Sequence, residues 1–267
     1  MKALEKLVGA IRQGRTIYRN ITTGVLSCLT SNIAEFEVNS ASLALASLFG
    51  VPLALNALQI LAIDLLGEIF PIAALRRDPE EGETMRARPR DPRARILNRR
   101  LIGDMFVAGS IIGAFAYANY LWFYARSGFD VFAQTPPDAL LAQAMTITYA
   151  TIMVSQLVSV IQRRSVHGFF TRYQFTNLTF WKALVLAVGV MLVIIYAPLV
   201  AGFFGTAALG LADWGCVLLV AAVFLGVRKG WRVLRALRPV PSTSGATAEP
   251  APPLSLQRAS AVTPRSP

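Results

Sequence analysis

Four carboxylates, Glu35, Glu37, Asp64 and Glu68, stand inside two otherwise apolar stretches, 21–48 and 53–75, and neither stretch holds a Lys or Arg. Placing one charged side chain at the centre of a bilayer costs about 2.5–3.5 kcal/mol on insertion scales. Four acids without a basic neighbour therefore require protons or cations to accompany them. At about 3.6 residues per turn, a helix brings Asn32, Glu35 and Asn39 to one face and sets Glu37 roughly 200° away from Glu35, toward a different partner or the membrane boundary. Asp64 and Glu68 are four residues apart and share a face. Pro71 lacks the backbone donor that would engage the carbonyl of Gly67, one turn earlier. Carboxylates beside a freed carbonyl are hard oxygen ligands, suited to Ca²⁺, Na⁺, K⁺, Mg²⁺ or H⁺ rather than to soft metals. A broken helix at an ion site in mid-membrane is a recurrent transporter device. The competing reading is that each acid hydrogen-bonds to Asn or Ser of a neighbouring helix. It weakens with every further acid that lacks a base, and it stays strongest for Glu37. Gln156, uncharged and in a later apolar stretch, reads first as interhelical glue.

The elements that must position these residues are membrane helices. Hydrophobic residues make up 54% of the 267 and charged residues only 15%, against roughly 25% charged in a soluble domain. Six stretches reach the length of about 20 apolar residues that a crossing needs: 21–48, 53–75, 101–125, 139–162, 180–202 and 207–227. Of the 26 Lys and Arg, all but Arg126 fall in the N-terminal segment, alternate connections or the tail. The positive-inside rule then puts both termini in the cytoplasm of a multi-pass protein of the cell (inner or plasma) membrane. The net charge of +11 reflects this topology and attraction to anionic lipid, not nucleic-acid binding. The expected organisation is all-α: an amphipathic cytoplasmic stalk over 1–20, a six-helix membrane domain over 21–227, and a tail over 228–267 that is basic, then disordered. One histidine, His167, and two cysteines, Cys28 and Cys216, exclude a multi-His centre, a disulfide framework and a Cys-rich metal site. Asp104, at a span entrance, reads as solvated or capping.

GRTIYRNI at 14–21 and TSNIAE at 30–35 resemble the entry into the fifth membrane helix of P-type cation-transporting ATPases, and QILAIDLLGEIFPIAAL at 59–75 resembles their sixth, with its pattern Q-x-L-x-x-[ND]-L-x-T-D-x-x-P. AMTITYATIMVSQLVSVIQRRS at 144–165 is similar to their eighth helix. The resemblance spans residues 8–235, is most specific in the first 80 residues, and implies the fifth to tenth helices of such a pump. It further implies that Asn32, Glu35, Asp64 and Glu68 bind the cation, with Glu35, Asp64 and Glu68 as its charged ligands and Glu37, Asn39 and Gln156 as additional or supporting groups. Gln156 matches a position that bears an acid in the calcium pump. This chain departs from the motif at Gly67, which stands where the family has Thr, and at the longer Glu68, which replaces Asp.

The sequence contains no D-K-T-G-T phosphorylation motif, no T-G-E loop and no G-D-G-x-N-D hinge. Without a phosphorylatable Asp there is no covalent intermediate to couple ATP to transport. No catalytic residue and no covalently bound cofactor are expected, and the chain is not expected to be an enzyme on its own. The expectation is a membrane-embedded cation-binding half of a P-type pump, in contact with the lipid bilayer. A separate polypeptide would carry the ATPase domains and remaining helices. The alternative is an autonomous membrane protein that binds or conducts cations or protons, or that regulates full-length pumps.

Overall fold

No proline interrupts the chain before Pro52, and residues 2–49 form one unbroken helix, α1 (Lys2–Phe49). The expected stalk over 1–20 and first span over 21–48 are therefore continuous. We describe residues 2–81, 97–165 and 171–237 from a computed structural model. The remainder of the Arg-rich connection, His167 and the tail from 238 lie outside the described residues. Gly50 ends α1 at φ +72°, a backbone angle that favours glycine. Asn56 then starts α2 (Ala57–Leu61) through a capping box with Gln59. A π-helical segment (Ala62–Glu68) and α3 (Ile69–Leu75) continue the same rod. Asn98 caps α4 (Arg99–Arg126), accepting from Leu101 N at 2.8 Å. Pro137 precedes α5 (Asp138–Arg164), and Asn177 caps α6 (Leu178–Tyr196). The expected span over 180–202 is broken: Pro198 starts α7 (Pro198–Phe204), and Ala197 before it is extended, as the residue preceding proline prefers. α8 (Leu211–Leu237) is the last described helix.

Among the described residues five helices are long and apolar enough to cross a membrane: Ala57–Leu75, Leu101–Arg126, Asp138–Arg164, Leu178–Tyr196 and Leu211–Trp231. The sixth expected crossing lies within α1, where Asn32, Glu35, Glu37 and Asn39 dilute the apolar surface. Residues 1–230 form one compact unit. The second unit, 231–267, is described only to Leu237, as the end of α8. In the first unit α5 is the central helix, with 83% of its apolar window buried. α1 and α4 cross closely at two glycines four residues apart. A Cβ on Gly109 would stand 2.8 Å from Thr30 O, and one on Gly113 would stand 3.0 Å from Ala34 O. Small residues at this spacing let membrane helices approach through their backbones.

Ion pairs tie the helix ends together where α1, α3, α5 and α6 meet. Arg164 Nε donates to Asp78 Oδ2 at 2.7 Å, and Asn177 Nδ2 donates to Asp78 Oδ1 at 2.7 Å. Both side chains of the Arg164–Asp78 pair are almost fully buried. The Arg164 guanidinium also lies over the rings of Phe180 and Tyr173, at 4.6 and 5.4 Å. Tyr173 accepts from Arg19 Nη2 at 2.6 Å and donates to Pro79 O at 2.8 Å. Burial foremost, then the Asp78 carboxylate, raises the Tyr173 phenol above its usual value, while Arg19 and Arg164 pull against the rise. Asp104 is not simply solvated. It accepts both Arg228 Nη atoms, at 2.8 and 2.9 Å, and Arg163 Nη1 at 3.2 Å.

Candidate cation site

The inward face of α1 carries Ser31, Ala34, Glu35, Val38 and Ser42, all buried. Ser31 of this face meets Glu68 of the π-helical segment, and the backbone at Ala34 lies against Gly113 of α4. Glu68 ends the π-helical segment and is only 3% exposed. Its Oε1 accepts from Ser31 Oγ of α1 and from Gln156 Nε2 of α5, and Cys28 of α1 lines a groove with the same side chain. Glu35 is 5% exposed, and its Oε1 has no hydrogen-bond partner. Asp64 is half-buried, and its Oδ1 is likewise buried without a partner. Glu35, Asp64, Glu68 and Cys28 lie close enough to interact electrostatically. They are neighbours rather than a closed cage: among the described residues no three His, Cys, Asp or Glu side chains close on a point that would hold a metal ion.

The π-helical segment supplies the local geometry. Its i→i+5 bonds make a wider turn than an α-helix, a form found mostly as short bulges at functional sites. Here it covers Asp64 through Glu68 and ends three residues before Pro71, which cannot donate to the carbonyl of Gly67. Gly67 itself is a packing position. A Cβ there would run into Met153 Sδ and Cε, so the thioether of α5 fills the space a side chain would need. The motif glutamine is also structural. Gln59 is fully buried, closes the capping box at Asn56, and its Nε2 donates to Gly205 O at 3.4 Å. Asn56 Nδ2 donates beside it to Phe204 O at 2.9 Å.

The structure thus brings together Glu35, Asp64, Glu68 and Gln156. It does not bring Asn32, Glu37 and Asn39 to the same point. Asn32 is exposed on the outer side of α1. Glu37 turns to α4, where it accepts from Ser110 Oγ and faces Gly113. Asn39 Nδ2 donates at 2.9 Å to the backbone carbonyl of Glu35 in its own helix. Beside the acids a groove of about 550 Å³ runs between α1 and α3, walled by Ile21, Val25, Ile69 and Ile72, with Cys28, Asp64 and Glu68 also lining it. Ser31, Cys28 and Met153 were not among the expected site residues. The spacing 28, 31, 35 fits one helix face as well as 32, 35, 39 does, so the first two were within reach of the same arithmetic. Met153 had no such signal.

A protein-family model described as "Cation transporting ATPase, C-terminus" matches residues 52–234. The chain is 33% identical over 214 residues to a calcium-transporting ATPase of Bacillus subtilis (strain 168), an alignment covering 80% of this chain and 22% of that protein. It is 31% identical over 233 residues to calcium-transporting ATPase 1 of Bacillus cereus, covering 84% of this chain and 25% of that protein. Similarity extends at 31% identity over 125 residues to the sodium/potassium-transporting ATPase subunit alpha-4 of Homo sapiens, covering 46% and 12%. The chain therefore spans a quarter or less of the length of these curated relatives.

Proposed function

The chain belongs to the cation-transporting ATPase C-terminal family, and from that premise we propose that it is the membrane-embedded, cation-binding half of a P-type cation-transporting ATPase, coupled to ATP by a separate polypeptide. One observation carries the reading: Glu35, Asp64 and Glu68 are neighbours on two helices, and oxygens of Glu35 and Asp64 are buried without hydrogen-bond partners. A buried polar atom left unpaired costs about 1–3 kcal/mol, more when charged. A bound cation or proton offsets that cost. Carboxylate oxygens suit Ca²⁺, Na⁺, K⁺, Mg²⁺ or H⁺, and two relatives are named as calcium-transporting. Asn32 is proposed as a further ligand from the outer side of α1, with Glu37, Asn39 and Gln156 in support. The open groove beside Asp64 and Glu68 is where helices of the partner polypeptide would cover the acids. We place α1 as the sixth crossing, with both termini in the cytoplasm and the protein in the cell (inner or plasma) membrane, because all Lys and Arg except Arg126 then share one side.

Two experiments test the reading. Cations should raise the thermal stability of the purified chain, since a ligand that binds only the folded state stabilises it. Asp64→Asn and Glu68→Gln should each abolish that rise, and an undiminished rise in both variants removes the site. Mild-detergent purification of the tagged chain from its own membranes should recover, in equal amount, a polypeptide bearing a D-K-T-G-T domain. Recovery of the chain alone removes the dependence on a partner and favours an autonomous cation-binding protein.

A further inference from the structure

The acid cluster has a basic neighbour that lies outside its own two helices. Gln156 and Arg163 are seven residues apart and project from one face of α5. Gln156 donates to Glu68, and Arg163 Nη2 donates at 3.0 Å to Thr30 Oγ1 of α1. Thr30 adjoins Ser31, whose hydroxyl donates to the same Glu68 carboxyl. The Arg163 side chain is only 7% exposed, so water and salt screen its charge poorly. Asp104 of α4 accepts from its Nη1 at 3.2 Å. The same carboxylate serves α8: Arg228, 3% exposed, places both Nη atoms on it at 2.8 and 2.9 Å. Two guanidinium groups thus share one carboxylate, and the three side chains carry one more positive charge than negative.

A fixed positive charge near the acids opposes any cation they bind, and a fixed negative charge favours it. We propose that Asp104, Arg163 and Arg228 form a charged triad that tunes the cation affinity of the acid cluster, with Arg163 lowering the affinity and Asp104 raising it. This rests on the cation-site reading above and adds what regulates that site. Arg163 and Asp104 act through their field rather than as ligands. Asp104 holds the Arg163 guanidinium at the level of Thr30 and offsets part of its charge. Arg228 takes up the rest of the Asp104 carboxylate, so the last described helix bears on a site it does not line. The signs separate this role from a structural one. A merely structural tie loses affinity whichever member is removed, whereas a tuning triad responds in opposite directions to the loss of Arg163 and the loss of Asp104.

The test titrates the purified full chain with Ca²⁺, Mg²⁺, Na⁺ and K⁺ separately and reads affinity from the rise of the unfolding midpoint with concentration. For the ion that stabilises the wild type most, Arg163→Gln should tighten binding about threefold to tenfold, and Arg163→Lys, which keeps the charge, should retain wild-type affinity. Asp104→Asn should weaken binding by a similar factor. That variant leaves two buried guanidinium groups without their carboxylate and is strongly destabilised. Asp104→Asn with Arg228→Gln restores the charge balance and should return to within about twofold of the wild type. Asp213→Asn is the control. It breaks the other ion pair of α8, with Arg126, about 33 Å of helix rise from Asp104 along α4, and should lower the starting midpoint without changing affinity. Weaker binding in Arg163→Gln as well as in Asp104→Asn, or unchanged affinity in Arg163→Gln, overturns the tuning triad and leaves the cation site standing. No stabilisation of the wild type by any of the four ions overturns both.

Discussion

Gly67 shows how much a single missing side chain decides. The motif comparison makes it the loss of one hydroxyl, but the structure makes it a hole filled by Met153. Interiors are packed closely enough that one added methylene is felt. Gly67→Val should therefore destabilise the chain by about 1–3 kcal/mol, the usual cost of overpacking. Met153→Ala, destabilising alone, should recover most of that loss in the double variant. Unfolding midpoints of the four proteins check the coupling, and purely additive losses would contradict the contact. At this scale the sequence was informative about chemistry and poor about direction. Unpaired acids at membrane depth pointed to Glu35, Glu37, Asp64 and Glu68, and of these Glu37 turns away to Ser110 of α4. Helical spacing could not tell which flank of α1 faces inward, so it grouped Asn32 with Glu35 although only Glu35 is buried.

Between elements, the strongest ties are ionic and distant in sequence. The Arg164–Asp78 pair joins the end of α5 to the residues after α3, 86 positions apart. Removing one partner of a buried pair leaves an uncompensated charge, which typically costs about 3–5 kcal/mol. Arg164→Met should lower the unfolding midpoint strongly. Arg164→Met with Asp78→Leu should recover much of the loss, because an apolar pair of similar volume often replaces a buried salt bridge without penalty. A double variant as unstable as the single one would mean that the ring contacts and hydrogen bonds of Arg164 matter more than its charge. None of this was visible in the sequence, because nothing local marks which Arg of a basic segment turns inward. Asp104 was read as solvated for the same reason, its partners Arg163 and Arg228 being 59 and 124 positions away. Helix ends follow local chemistry: Gly50 takes a positive φ, and the side chains of Asn56, Asn98 and Asn177 cap the helices after them. The interruption at Ala197-Pro198 follows from the proline. The widening into a π-helical turn carries no such marker.

Charge asymmetry belongs to the whole molecule. With Arg126 alone on one side of the proposed topology, a single cysteine from Gln134→Cys, placed in a background of Cys28→Ser and Cys216→Ser, should react with an impermeant reagent applied outside the cell. Gln13→Cys in the same background should react only after the membrane is opened. Labelling of both from outside would remove the six-crossing arrangement. Contacts between remote parts of the chain also bear on the order of assembly. Asn56 and Gln59, at the head of the second expected span, give their side-chain amides to the carbonyls of Phe204 and Gly205. Those acceptors are synthesised nearly 150 residues later. A chain still growing on the ribosome thus carries two amides without these partners through most of its insertion. The head of the rod that holds Asp64 and Glu68 is held earlier by Ser42 and Tyr120, and gains these two amide anchors when residues 204 and 205 arrive. Glu68 meets Ser31 and Gln156 earlier in synthesis, so a chain halted before residue 204 keeps the acid's own contacts and lacks two amide anchors at the head of its rod.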